Sequence, residues 1–255
     1  MDNEPSVDRQ KQQRLLDNFM DDIQYLKKYL DDPDVTDIFI TGSGEIIVKR
    51  FKQGKEYTDE YLSPSKVRGI ILSAAALLDK QIDPINGTPK LEAVLPPPYS
   101  ARITGLLSPW VEIPEVTLRI PPRIIYPLED YVDKERMKPS EYDLICEYIN
   151  KRKNILIGGG TGSGKSTFTN AVLKKMTEYT PDDRFYIVED VPELRCNARD
   201  KTMITVHPKD AAEAVRTALR WTPDRIIFGE VRYGEVANEL LKAWNSGHTG
   251  NVTTI

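Results

Sequence analysis

The sequence predicts an α/β protein, in which a domain with a mostly parallel sheet follows a smaller α+β domain. Three observations predict this. Over residues 1–120, short β-branched runs are separated by turn signals and proline breaks. From about residue 140 onward, strand-like and helix-like segments alternate. Between them, Pro121-Pro122 through Pro127 forms a proline-rich joint. The expected boundaries are therefore 1–120 for the first domain, 121–139 for a linker and 140–255 for the second domain.

The elements follow in order. Leu15, Phe19, Ile23, Leu26 and Leu30 recur at helical spacing, which predicts one amphipathic helix over 9–30, ended by Asp31-Asp32-Pro33. Its polar face is mixed in sign, which argues against membrane binding. Val35–Ile40 and Glu45–Arg50 flank Thr41-Gly42-Ser43-Gly44, a hairpin pattern. Ser63-Pro64 then opens a helix reaching Leu78, with serine at the N-cap and proline at the first helical position. Leu91–Leu95, Ala101–Leu106 and Val116–Ile120 read as three further strands, so the first sheet is antiparallel.

In the second domain, helices are expected near 140–152, 165–177, 210–220 and 234–245. Strands are expected at Asn154–Ile157, Arg184–Val188, Arg225–Phe228 and Asn251–Ile255. Strands that alternate with helices imply a parallel sheet covered on both faces.

Composition narrows the function classes. The 255 residues carry 35 Lys plus Arg against 39 Asp plus Glu, a net charge of −4, and 40% are hydrophobic. That is ordinary globular composition. Residues 1–120 hold 15 basic and 19 acidic residues, and residues 121–255 hold 20 of each. Neither half is a basic nucleic-acid footprint, so direct nucleic-acid binding is not expected. No stretch approaches 18 apolar residues, and the start, Met1 to Gln13, is polar without a signal-peptide core. Cys146 and Cys196 stand in no metal or redox spacing. A reducing compartment, the cytoplasm, is the expectation.

The most informative run is Gly159-Gly160-Thr161-Gly162-Ser163-Gly164-Lys165-Ser166, with Thr167 continuing into a helix. It fits G-x-x-x-x-G-K-[ST] between an apolar strand and a helix. Glycines let successive N–H groups wrap phosphate oxygens, and the helix N-terminus adds partial positive charge. Lys165 is expected on the β- and γ-phosphates of ATP, and the Ser166 hydroxyl on Mg²⁺.

Acids at strand ends complete the expected site. Arg225–Phe228 ends in Gly229-Glu230, which places Glu230 at the tip of a parallel strand, near Mg²⁺ and the attacking water. The usual aspartate at that tip is missing, and Asp224 lies before the strand. Arg184–Val188 ends in Glu189-Asp190, with Glu193 just beyond. Spacing does not decide which of these acids contacts the magnesium shell or the water; Glu189 is favoured. In Ser246-Gly247-His248-Thr249-Gly250, glycines flank His248, which suits a sensor of the γ-phosphate, although a loop histidine is commonly only that. His207, beside Pro208, reads as structural.

Taken together, Gly159–Ser166, Val188–Leu194, Leu219–Arg232 and Gly247–Gly250 resemble, in that order, the Walker A, Asp, Walker B and His boxes of the type II/IV secretion ATPase superfamily. The stretch Leu240–His248 is most similar to the conjugative-transfer, TrbB-type branch. The resemblance covers roughly residues 30–255. It implies a RecA-like P-loop NTPase domain behind an N-terminal α+β domain, with nucleotide between them. It implies an ATP-hydrolysing homo-hexameric motor of type IV secretion or conjugation, cytoplasmic and peripheral to the inner face of the membrane, working with inner-membrane apparatus proteins.

The resemblance also implies that Arg102 in Tyr99-Ser100-Ala101-Arg102-Ile103 and Arg119 in Thr117-Leu118-Arg119-Ile120 reach the phosphates. Arg220 and Arg232 match family arginines near Walker B, where pairing with the box acids would explain them equally well. One departure is that relatives continue past the strand in which this chain stops, so a longer version is expected to be the more stable. Three other readings remain: a pilus or type II secretion ATPase, a RecA-like nucleic-acid translocase, and a nucleotide-binding scaffold that does not hydrolyse.

Overall fold

The structure, a computed structural model, describes residues 7–255 except Lys52, Pro84, Asn86 and Thr161. Two compact units divide at Pro121/Pro122.

In the first unit, α1 (Val7–Ile23) runs through a 3-10 turn at Gln24–Leu26 into α2 (Lys27–Leu30). The single helix expected over 9–30 is thus tightened by one turn near its end. Leu26 and Leu30 remain fully buried. There follow β1 (Val35–Ile40), β2 (Glu45–Arg50), β3 (Gly54–Tyr61), α3 (Pro64–Leu77), β4 (Lys90–Val94), β5 (Arg102–Leu106) and β6 (Glu115–Arg119). The six strands form one antiparallel sheet in the order β3-β2-β1-β6-β5-β4.

Alternation along these strands sends Ile38, Ile40, Val48, Ile103, Val116 and Leu118 into one apolar core with Phe19, Ile23, Val67, Ile70 and Ile71 of the helices. Asp37, Arg119 and Arg102 point to the opposite face. Register sets Arg119 directly against both Asp37 and Arg102. β3 was not expected: Gly54-Lys55-Glu56-Tyr57-Thr58-Asp59-Glu60-Tyr61 is an edge strand, so polar residues fill most of its positions.

The second unit contains α4 (Glu129–Asp133), α5 (Pro139–Asn150), β7 (Ile155–Ile157), α6 (Lys165–Tyr179), β8 (Phe185–Glu189), β9 (Lys201–Thr205), α7 (Ala211–Arg220), β10 (Arg225–Phe228), α8 (Gly234–Asn245) and β11 (Val252–Thr254). Its five strands are all parallel, in the order β7-β11-β10-β8-β9. The two helical layers are visible in the cores. Phe185, Ile187, Ile227 and Val252 pack with α5 and α6 on one face. Tyr186, Val188, Ile226 and Phe228 pack with α7 and α8 on the other.

Two features lay outside the sequence reading. β9 is an edge strand exposed at alternate residues, with the short apolar signal Met203-Ile204. Residues 122–139 are built into the second unit: Leu128 lies in its core and the Tyr131 ring meets Phe168 of α6 edge-on, 5.2 Å between centroids. The prolines of 121–127 end before that apolar anchor. No helix among the described residues is long and apolar enough to cross a membrane.

Candidate active site

The loop between β7 and α6 is set by its glycines. Gly164 caps α6 in the left-handed region, φ +94°, a conformation that costs a residue with a Cβ about 1–2 kcal/mol. Phe168 N–H then closes the first helical bond on the Gly164 carbonyl at 2.9 Å. Ser163 N–H donates to Gly160 O at 3.2 Å, and Gly159 N–H to Ile255 O at 3.3 Å. Lys165, Ser166 and Thr167 are the first three residues of α6, so their N–H groups stay unpaired within the helix and face an incoming anion. Thr161 lies outside the described residues.

Lys165 is largely buried. Its Nζ donates to Gly159 O at 2.7 Å and pairs with Glu230 Oε1 at 3.3 Å. Glu230 follows β10, two positions across the sheet from β7, so the expected approach of Walker A to the β10 tip is present. The Glu230 carboxylate also accepts from Arg232 Nε at 2.6 Å, and Arg232 Nη1 reaches Asp190 Oδ2 at 2.7 Å. Burial pushes the Glu230 carboxyl up, but the hydrogen bond and charge of Arg232, then those of Lys165, outweigh it and hold it below the usual range. Asp190, Glu230 and Arg232 rim a small cleft walled by Val206, Pro208, Ala211, Phe228 and Val236.

The acids after β8 divide in a way the spacing did not reveal. Glu189, the favoured residue, is 4% exposed. Its Oε1 accepts N–H bonds from Glu193 at 2.9 Å and Leu194 at 2.7 Å. Burial drives its carboxyl up to about 7 against the opposing pull of those two amides. The structure therefore turns Glu189 inward, where it shapes the loop, and turns Glu193 onto Ser166. Ser166 Oγ donates to Glu193 Oε2 at 2.5 Å. Asn170 of α6 fixes this placement: its Nδ2 donates to Glu193 O at 3.0 Å and its Oδ1 accepts Arg195 N–H at 2.7 Å. The missed signal was Asn170, a buried amide one helical turn beyond Ser166.

His248 sits in the loop after α8, its Nδ1 3.4 Å from Ser246 Oγ. Its backbone is tied down: N–H to Ala243 O at 3.2 Å, and carbonyl accepting Asn251 Nδ2 at 2.6 Å. Asn251 Oδ1 in turn accepts Ile226 N–H at 2.6 Å. Beneath the loop, Arg225 is wholly buried and donates to Gly250 O at 2.8 Å and Asp183 Oδ2 at 2.7 Å. His207, as expected, is structural: its Nδ1 accepts Lys209 N–H at 3.3 Å and caps a short turn. In the first unit, Arg119 Nε donates to Asp37 Oδ1 at 3.1 Å, and Arg102 lies 3.8 Å from Glu92.

This geometry agrees with what the chain is similar to. The type II/IV secretion system protein family model matches residues 26–255. The chain belongs to that family. A conjugal transfer protein TrbB of Rhizobium radiobacter is 38% identical over 227 residues, covering 89% of this chain and 69% of the relative. The type IV secretion system protein VirB11 of Brucella suis is 27% identical over 266 residues, covering 91% and 72%. The solved ATPase DotB of Legionella pneumophila shares the fold, with a TM-score of 0.64 at 21% identity over 91% of this chain and 64% of that one. This secretion-family chain is thus an α/β P-loop ATPase behind an α+β unit.

Proposed function

We propose that this secretion-family ATPase is a homo-hexameric motor that energises a type IV secretion or conjugative-transfer apparatus, working in the cytoplasm at the inner face of the membrane with the apparatus proteins there. Similarity to TrbB and VirB11 supports the system. The observation that carries the enzymatic part is the convergence of Lys165, Ser166, Glu193 and Glu230 at the C-terminal edge of one parallel sheet.

ATP is the substrate. The α6 N-terminus and the loop amides from Gly159 to Thr167 bind its phosphates, and Lys165 exchanges Glu230 for them. Ser166, Glu193 and Glu230 present only oxygen donors, which fits Mg²⁺. No cluster of three metal-binding side chains stands ready among the described residues, so the ion would be shared with phosphate. When bound, Mg²⁺ neutralises charge on the transferring phosphoryl group. Glu193 and Glu230 orient the attacking water; Glu189 acts behind them by shaping the 190–194 turn. His248 sits on a loop held to β10 and is proposed to report the γ-phosphate. Arg102 and Arg119 are proposed to stabilise phosphoryl charge; they are paired across β5 and β6, and both side chains are partly exposed.

Replacing Lys165 with Ala in the full chain tests the reading. Loss of phosphate release and of nucleotide binding supports it, and turnover at the wild-type rate overturns it.

A further inference from the structure

Four charged side chains alternate in sign along the tip of the parallel sheet. Asp190 Oδ2 meets Arg232 Nη1 at 2.7 Å, Arg232 Nε meets Glu230 Oε2 at 2.6 Å, and Glu230 Oε1 meets Lys165 Nζ at 3.3 Å. The two oxygens of Glu230 are therefore claimed by different cations, and the tighter contact is the arginine's. A carboxylate held by a planar guanidinium is fixed in direction as well as in charge.

Lys165 is the group a polyphosphate must capture. Before nucleotide arrives, its acceptors are one carbonyl, Gly159 O, and one carboxylate, Glu230. Only the carboxylate rivals phosphate in charge. How strongly Glu230 grips Lys165 thus enters directly into nucleotide affinity, because that grip is broken on binding. The grip is weaker for every part of the Glu230 charge that Arg232 absorbs.

We infer that Arg232 is a positioning residue that draws the Glu230 carboxylate away from Lys165, leaving the phosphate-loop lysine available to nucleotide. The inference rests on the proposed roles of Lys165 and Glu230. Asp190 anchors the far side of the guanidinium and keeps it from following Glu230 toward the phosphates. The apolar side chains of Val206, Phe228 and Val236 line the adjoining cleft on one side of this chain of charges, while Arg232 remains partly open to water, which screens its pairings. Once Lys165 has turned to phosphate, the same arginine is the cation that continues to aim Glu230.

The test is a double-mutant cycle read by calorimetric titration with Mg²⁺ and an ATP analogue whose β–γ bridge is not hydrolysed. Arg232→Ala is expected to weaken binding by about three- to tenfold, the size of coupling usual between contacting charged groups. Glu230→Gln is expected to tighten it. In the Glu230→Gln background, Arg232→Ala is expected to have no further effect. Arg232→Lys restores part of the affinity, since it keeps the charge but not the fork, and it carries the test should the alanine variant fold poorly. Equal weakening in both backgrounds, or unchanged affinity in Arg232→Ala and Arg232→Lys, overturns the inference. Wild-type analogue affinity in Lys165→Ala would instead overturn the proposed site itself, whatever Arg232 does.

Discussion

The Ser166 hydroxyl lies 2.5 Å from the Glu193 carboxylate, across 27 residues of sequence, and Asn170, on the same helix as Ser166, holds the Glu193 segment to that helix. That contact divides the labour among the acids after β8 and can be tested directly.

Glu193→Gln is expected to lower kcat by about a hundredfold or more, the usual loss on removing a group that positions a nucleophile or stabilises charge. Glu189→Gln is expected to lower it less than about tenfold, because a glutamine carbonyl still accepts the Glu193 and Leu194 amides that hold the turn. Steady-state phosphate release on the two variants decides; the reverse ranking would return the catalytic role to Glu189.

Glu189 also makes stability depend on pH. Burial raises its carboxyl from 4.5 to about 7. Between those values the folded chain keeps a proton that the unfolded chain has released, so this group's contribution is present below pH 4.5 and is lost as pH rises to 7. The loss is about 3 kcal/mol. Urea unfolding of wild type and Glu189→Gln across that range checks the sign: their stability difference should shift toward the variant as pH rises.

Asp183→Ala should be severe. Arg225 is wholly buried, and its charge is met by Asp183, which Arg152 Nη2 also holds at 2.6 Å. Stripping the carboxylate leaves a buried guanidinium without its counter-charge, a loss of about 3–5 kcal/mol. The same melt should show whether the Gly250 end of the His248 loop, which Arg225 supports, loosens with it; amide exchange at Asn251 and Val252 reads that.

In the first unit, Gly105 of β5 faces α3 so closely that a Cβ would fall 2.7 Å from Ile71 Cγ1. Gly105→Ala is expected to cost about 1–3 kcal/mol by overpacking. In combination with Ile71→Ala the two losses should sum to less than their separate values, because each relieves the other. Additive losses in denaturant titrations would count against this packing account.

Much of this was legible in the sequence for identifiable reasons. The Gly159–Ser166 loop dictates backbone shape residue by residue, and β8 and β10 are buried along their whole length, so their largely apolar runs stand out. β3 and β9 were missed because edge strands face water and carry polar side chains, so the two-residue period loses its contrast. The choice between Glu189 and Glu193 was invisible for another reason. Strand periodicity ends at Glu189, and the turn that aims Glu193 is folded by the carboxylate of Glu189 itself. The burial of Arg225 was likewise invisible: nothing local marks an arginine opening a strand as buried, and its counter-charge, Asp183, lies 42 positions away.

The amide of Asn170 has a further consequence for a machine that must move. Because it fastens the 193–195 segment to α6, the serine and the glutamate travel as one piece with the phosphate-loop helix. Whatever displacement a cycle imposes on that helix, their spacing is insulated from it. Glu230 follows a different strand and is joined to α6 through its ion pair with Lys165, the contact that phosphate would replace in the proposed site. The spacing that a stroke can open or close is therefore the one between these two acids, and in the proposed site the attacking water would lie between one acid fastened to the phosphate-loop helix and one whose hold on that helix nucleotide releases.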